Sequence, residues 1–454
     1  MRHILLAIAS LLAVGTGIKA QPEEAYIPTE ENMAARREFA GDKLGIFIHW
    51  GIYSMFAQGE WYMQNASIDR DEYAKAADGF YPHRFDARAW VSAIKAAGAR
   101  YICLTSRHHD GFSMWETDES DFNIVDATPF RRDVVKELAD ECHRQGIRLH
   151  LYYSHIDWTR DDYPIGRTGL HTGKDPQKAD WPHYYGFVNR QLTELLTRYG
   201  KIGAIWFDGY WDRDKDSVPF DWQLRPQYDL IHRLQPACLV GNNHHVTPHA
   251  GEDIQIFERD VPGENKAGLS GQAISRLPLE TCETMNGMWG YKVTDQNYKT
   301  PADIIRLLVS TSGKGANLLL NIGPQPNGEL PATALQRLAA MGQWTARYGS
   351  SIYNTTAGPV PTQPWGVTTQ RGDTVYVHIL QPELKELTIE LPGLKLKRAE
   401  DYLTGTPIAT RRDKNQWTLT WDTPTPRPHD ATTTDQPTWL DTVDHVVRLI
   451  VKTR

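Results

Sequence analysis

Between residues 43 and 324 the chain repeats one pattern: a short, almost unbroken apolar run, then a segment whose apolar residues recur at helical spacing. KLGIFIHW (43–50), ARYICLTS (99–106), IRLHLYYS (147–154), KIGAIWFDG (201–209) and ACLVGNN (237–243) read as the first five strands. DIQIFE (253–258), LPLETCET (277–284) and ANLLLNIGP (316–324) read as the sixth to the eighth. Helices are predicted over 86–98, 128–146, 181–200, 226–236, 300–315 and 331–349. Asp86, Thr128 and Thr300 serve as N-caps, and Pro129 and Pro301 take first helical positions. Strands apolar on both faces, alternating with helices, belong to a parallel sheet covered on both sides. Eight of them predict an α/β fold of the (β/α)8-like barrel type, with the later helices degenerate. A doubly wound open sheet is the alternative, but no Gly-rich nucleotide turn follows the first strand.

The patterning changes after about residue 355. TVYVHIL (374–380), KELTIELPG (385–393), QWTLTW (416–421) and HVVRLIVK (445–452) are short strands with no helical pattern between them, which predicts a C-terminal β-sandwich. At the other end, Arg2 and His3 precede an apolar run from Ile4 to Val14, with Ala20 at the cleavage position. That run is too short to span a bilayer and reads as a signal peptide. The expected organisation is therefore a leader over 1–20, a barrel over 21–354 and a sandwich over 355–454. The expected location is outside the cytoplasm, either periplasmic or secreted. No cysteine stands near the cleavage position to carry a lipid anchor, and no later segment approaches a membrane-spanning length.

A formal charge of −7 leaves no basic footprint for nucleic acid. Cys103, Cys142, Cys238 and Cys282 lie far apart without a CxxC pair, so neither a zinc site nor a disulfide scaffold is signalled. The chain holds 15 Trp and 20 Tyr, an excess compatible either with stacking on sugars or with aromatic packing alone.

Barrel chemistry sits at the C-terminal ends of the strands. There the sequence places His49, then Glu60 and Trp61 in the following loop. His108 and His109 end the second strand; Tyr152, Tyr153, His155 and Trp158 end the third. Trp206 and Asp208 end the fourth, Asn242, His244 and His245 the fifth, and Glu258 the sixth. Glu280 and Trp289 follow on the seventh and beyond. Taken singly, each has an ordinary reading as a core histidine or a helix cap. Together they describe the lining of a pocket for a polyhydroxylated ligand. Adjacent histidines on a strand point to opposite sides, so His108 and His109 share the pocket only if the strand bends there. No HxH or HExxH spacing supports a metal, and none is expected.

Asp208, in GAIWFDGYW (203–211), ends an apolar strand among aromatic residues. Such a carboxylate is costly unless it is compensated. Glycoside hydrolysis uses a pair of carboxyl groups, one ionised and aimed, the other a proton donor helped by a raised pKa. Asp208 suits the first role and Glu258 the second, with Glu280 and Glu60 as competing donors.

In order along the chain, FIHWGIYS, GEWY, SRHHDGF, YYSHIDW, WFDG, ETCET with WGY, and GKGANLLLNIGP resemble the α-L-fucosidases of glycoside hydrolase family 29. The resemblance covers most of residues 40–350. It implies a retaining exo-α-L-fucosidase, a hydrolase without metal or organic cofactor, acting on a fucosylated oligosaccharide or glycoconjugate. It makes Asp208 the nucleophile and, by its place after the fifth strand, Glu258 the acid/base. It assigns fucose binding to His49, Glu60, Trp61, His108, His109, Tyr152 and Trp206, and places Trp289 in the pocket lining. One departure is GNNHH (241–245), where some relatives carry an arginine; His244 is the residue expected in its place. The HWGIYS and GEWY wording leans toward the broad-linkage branch of the family. Two alternatives are a retaining glycosidase for a related sugar such as an α-L-galactoside, and a non-catalytic fucose-binding protein. The carboxyl pair argues against the latter.

Overall fold

The computed structural model describes residues 26–381, 383–421, 440 and 442–453. The expected leader over 1–20 lies outside them. Eight parallel strands form one nearly closed sheet in the order β5-β4-β3-β2-β1-β8-β7-β6. They are β1 (Leu44–Ile48), β2 (Tyr101–Arg107), β3 (Arg148–Ser154), β4 (Ala204–Asp208), β5 (Leu239–Asn243), β6 (Gln255–Glu258), β7 (Leu279–Thr284) and β8 (Asn317–Ile322). β5 and β6 meet through a parallel bridge between Gly241 and Ile254, which all but closes the ring. The (β/α)8-like barrel is thus the observed architecture.

Alternation along each strand divides the apolar residues between two cores. Leu44, Ile46 and Ile48 face the surrounding helices, as do Ile102, Leu104, Leu149, Leu151, Ile205 and Val240. Phe47, Tyr101, Cys103, Tyr152, Trp206, Ile254, Ile256, Cys282 and Leu319 fill the barrel interior. A pleated strand with both faces buried must be apolar at every position, which is why the sequence shows runs rather than alternation. Each fully buried large side chain contributes about 1.5–3 kcal/mol, so the two cores jointly outweigh any single polar contact.

The helices follow their local signals with one exception. Asp86 caps Ala87–Ala96 by accepting from Ala89 N, and Thr300 forms a reciprocal capping box with Asp303 ahead of Pro301–Gly313. The helix expected from Thr128 instead begins later, at Val134–Gln145, with Asp133 accepting from Lys136 N. Thr128 Oγ1 donates to Ile124 O and accepts from Phe130 N, while Arg131 takes φ +51°. The hydroxyl is thus spent on a turn, and a left-handed residue cannot continue a helix. A further helix, Glu30–Asp42, has too few apolar residues to show in the sequence. Its Phe39 packs on Tyr101 and His150 in the barrel interior.

After the barrel come two antiparallel sheets. One joins five strands, Leu394–Asp401, His445–Thr453, Thr374–Ile379, Gly366–Arg371 and Thr356–Ala357, in that order. The other joins Glu386–Glu390, Gln416–Thr420 and Ala409–Asp413. Val375, Val377, Leu387, Ile389, Leu419, Leu449 and others from both sheets form a common core, so the predicted sandwich is present. Four of its strands were not foreseen, the two-residue Thr356–Ala357 among them. Ala409–Asp413 is exposed along its whole length, and Gly366–Arg371 and Leu394–Asp401 lack a clean apolar alternation.

Candidate active site

The C-terminal ends of the barrel strands open into a cavity of about 640 Å³. Register explains which side chains reach it. Tyr152 pairs with Trp206, Ser154 with Asp208, Asp208 with Asn243, and Glu258 with Cys282. Residues in step on neighbouring strands share a face. Trp206 therefore lies one layer below Asp208, and the two carboxyl-bearing strand ends look into one space.

Asp208 is held by three donors. Gly209 N and Trp211 Nε1 donate to Oδ1 at 2.8 and 2.9 Å, and Tyr152 Oη donates to Oδ2 at 2.9 Å. Gly209 has φ +108°, and a Cβ there would meet Ile156 Cγ1 at 2.6 Å. Glycine is thus required to turn the chain so sharply that its own N–H returns to the carboxylate. Burial, then the charge of Glu258, pushes the Asp208 carboxyl up to about 6. Glu258 accepts at Oε2 from Asn243 Nδ2 at 2.8 Å, and its Oε2 is 3.0 Å from His245 Nε2. Burial would raise Glu258, but the contacts with His245 and Asn243 and the nearby Arg259 outweigh it and hold the group below its ordinary value. Of the two, the raised carboxyl is therefore Asp208. The sequence had led us to expect it on Glu258.

His108 and His109 both line the cavity, because β2 carries a bulge between Thr105 and Arg107. Their ring centroids are 4.1 Å apart. Ser154 Oγ donates to Ile156 O, so it accepts from His109 Nδ1 at 2.6 Å. Asn321 Nδ2 donates to Trp289 O, so its Oδ1 accepts from His49 Nδ1 at 2.7 Å. Both rings then carry their proton on Nδ1 and leave Nε2 as an acceptor. Burial lowers both to about 3, which keeps them neutral. A pair of neutral acceptors suits sugar hydroxyls. His109 Nε2 stands 3.6 Å from Asp208 Oδ2, too far for a hydrogen bond.

Of the residues expected to bind sugar, His49, Trp61, His108, His109, Tyr152, Trp206 and Trp289 line the cavity, but Glu60 does not. Its buried carboxylate accepts from Gly290 N at 2.7 Å and so holds the segment that carries Trp289. Nor does Glu280 line the cavity. It lies fully buried and accepts from Tyr101 Oη and from Trp206 Nε1 at 2.8 Å. Burial raises it to about 7. Both carboxyl groups are thus tied to neighbouring structure, and neither lines the cavity. His244, expected at the arginine position, turns away to Glu252, with Nε2 3.0 Å from both carboxylate oxygens. The next residue, His245, lines the cavity instead.

Sequence reasoning missed several lining residues: Phe47, Arg167, Trp211, Asp214, Lys215, Asn243 and Leu269. Trp211 and Asn243 stood next to residues that were singled out, and strand alternation from Asp208 and Gly241 would have found Asn243. Arg167, Asp214, Lys215 and Leu269 sit on long loops, which carry no periodic signal. Among the described residues no cavity-lining side chain comes from the C-terminal sandwich, and no group of His, Cys, Asp and Glu has the arrangement to hold a metal. Nor is any helix among them long and apolar enough to cross a membrane.

The family model described as Alpha-L-fucosidase matches residues 13–350. The human plasma alpha-L-fucosidase is 31% identical over 359 residues, covering 73% of this chain and 72% of its own. A solved alpha-L-fucosidase isoenzyme 1 from Paenibacillus thiaminolyticus is 31% identical with a TM-score of 0.79, over 93% of this chain and 100% of that one. An alpha-L-fucosidase from Bacteroides thetaiotaomicron, trapped as a covalent intermediate, shares the fold at 24% identity. Its TM-score is 0.78, over 95% of this chain and 98% of that one.

Proposed function

The chain belongs to the alpha-L-fucosidase family of glycoside hydrolases, family 29, and from that premise we propose that it hydrolyses terminal α-L-fucosides with retention, through Asp208 and Glu258. The observation that carries this reading is the Asp208 carboxylate, fixed by three donors at the end of β4 in a cavity that also takes Glu258. Oδ1 already accepts twice, whereas Oδ2 accepts once and keeps a lone pair for the anomeric carbon. Glu258 then protonates the departing oxygen, and as a carboxylate it deprotonates the water that releases fucose.

The opposite shifts of the two carboxyl groups fit this sequence of steps. The pair needs one proton in total, on Glu258 when substrate is bound. A glycosidic oxygen accepting from Glu258 draws the proton there. The positive charge developing on the sugar favours an ionised Asp208. His49, His108 and His109 accept from or donate to the fucose hydroxyls, and Trp61 and Trp289 enclose the ring.

Residues 21–354 are the catalytic unit on this reading and 355–454 the accessory sandwich. The leader pattern at 1–20 supports export, which N-terminal sequencing of the mature protein tests. The natural substrate is a fucosylated oligosaccharide or glycoconjugate. The deciding experiment is time-resolved proton NMR with an aryl α-L-fucoside. α-L-Fucose appearing first, with the β anomer growing in later, is expected. Initial release of the β anomer refutes retention, and no release by folded protein refutes the activity.

A further inference from the structure

We propose that His245 is a positioning residue for the acid/base carboxyl. With Asn243 it occupies Oε2 of Glu258, and so assigns the transferable proton to Oε1. This rests on the reading of Glu258 as acid/base. Asn243 Nδ2 and His245 Nε2 lie 2.8 and 3.0 Å from the same oxygen, Oε2. Among the described residues no hydrogen bond reaches Oε1. An ionised Glu258 can only accept, so both nitrogens then donate to Oε2; an oxygen so engaged is a poor seat for the acid proton, which is therefore assigned to the other oxygen. That oxygen is the one left for the glycosidic bond.

The backbone is built for this contact. Asn243 is the last residue of β5, in register with Asp208, and His245 takes φ +64°. A non-glycine residue in the left-handed region is uncommon. Here it brings the second histidine of the pair back over the strand end, while His244 goes outward to Glu252. The groups around Glu258 are Asp208 on β4, Cys282 on β7, Arg259 next along the chain, and His49 and Glu60 from the β1 side. Among the described residues none of these hydrogen-bonds to the carboxyl, whereas His245 and Asn243 do.

The test compares kcat/KM against pH for 4-nitrophenyl and methyl α-L-fucosides. Only the second needs full protonation of its leaving group. His245→Asn keeps the left-handed backbone but is too short to reach Glu258. His245→Gly also accepts positive φ, and is read the same way if the first variant fails to fold. Donors to Oε2 favour the ionised carboxyl, so losing one raises its pKa. The basic limb should move up by about 1 pH unit. The ratio of 4-nitrophenyl to methyl activity should grow about tenfold, and added imidazole should restore part of it. A folded variant with unmoved limb and unchanged ratio overturns the proposal. Glu258→Ala separates the two readings. If it keeps turning over methyl α-L-fucoside, the acid/base assignment itself falls. If it loses that activity, regains aryl fucoside turnover with azide, and the His245 variants still match wild type, only the role of His245 falls.

Discussion

Replacing Asp208 with asparagine should abolish turnover and also make the resting protein more stable above pH 6. Burial and the Glu258 charge raise the Asp208 carboxyl from 3.8 to about 6, so the folded protein holds this carboxylate at a disadvantage. A rise of that size corresponds to about 3 kcal/mol of destabilisation once the group is ionised. The sign follows from proton counts. Between pH 3.8 and about 6 the folded chain binds more protons at this site than the unfolded chain. Stability therefore falls as pH rises through that window and stays low above it. Asparagine carries no charge, so it escapes the penalty. Its Oδ1 still accepts from Gly209 N and Trp211 Nε1, but its amide nitrogen now faces Tyr152 Oη, whose proton must turn away. That rearrangement costs about 1 kcal/mol and leaves a gain of about 2 kcal/mol. In a chain of this length the unfolding entropy translates that into about 2 °C of Tm. Scanning calorimetry of both proteins at pH 4 and pH 7.5 checks it. The gap should be near zero at pH 4 and open at pH 7.5. A gap independent of pH, or a variant less stable at pH 7.5, would refute the picture of Asp208 as a carboxylate held against its preference.

The wild-type kcat/KM for an aryl fucoside should fall about tenfold per pH unit above about 6, where the carboxyl pair loses its last proton; a profile flat to pH 8 contradicts this. Trp211→Phe keeps the ring but removes the N–H on Asp208 Oδ1, and should lower kcat/KM by roughly tenfold in steady-state assays while the fold is unchanged. Glu280→Ala strands Tyr101 Oη and Trp206 Nε1 beneath the site. It should cost about 2–4 kcal/mol in denaturant unfolding, and azide should not rescue it, in contrast to Glu258→Ala. Asp157→Ala leaves the fully buried Arg107 without its ion-pair partner and should cost about 3–5 kcal/mol, read as a lowered unfolding midpoint.

The barrel and the main site residues were legible because they rest on short-range rules. A strand buried on both faces must be an apolar run, a helix must start at a cap, and barrel side chains that do chemistry stand where strands end. Those rules, with the ordered motifs, were enough to name the family and to single out Asp208, Glu258 and three histidines that line one cavity. They failed where a side chain had two local options. Thr128 could cap a helix or close a turn, and only packing chose the turn. His244 and His245 are equivalent in sequence, yet one left-handed residue sends them to different carboxylates. Glu60, Glu258 and Glu280 are alike as letters. Strand register and loop closure bury two of them as supports and leave one in the cavity. Which of the paired carboxyls is raised depends on the donors that reach each, and those donors come from residues brought together only by the closed barrel. Local patterning is set by backbone geometry and by the periodic burial of neighbours in the chain. Contact between distant residues, and the charge state it dictates, is set by how the strands align and close.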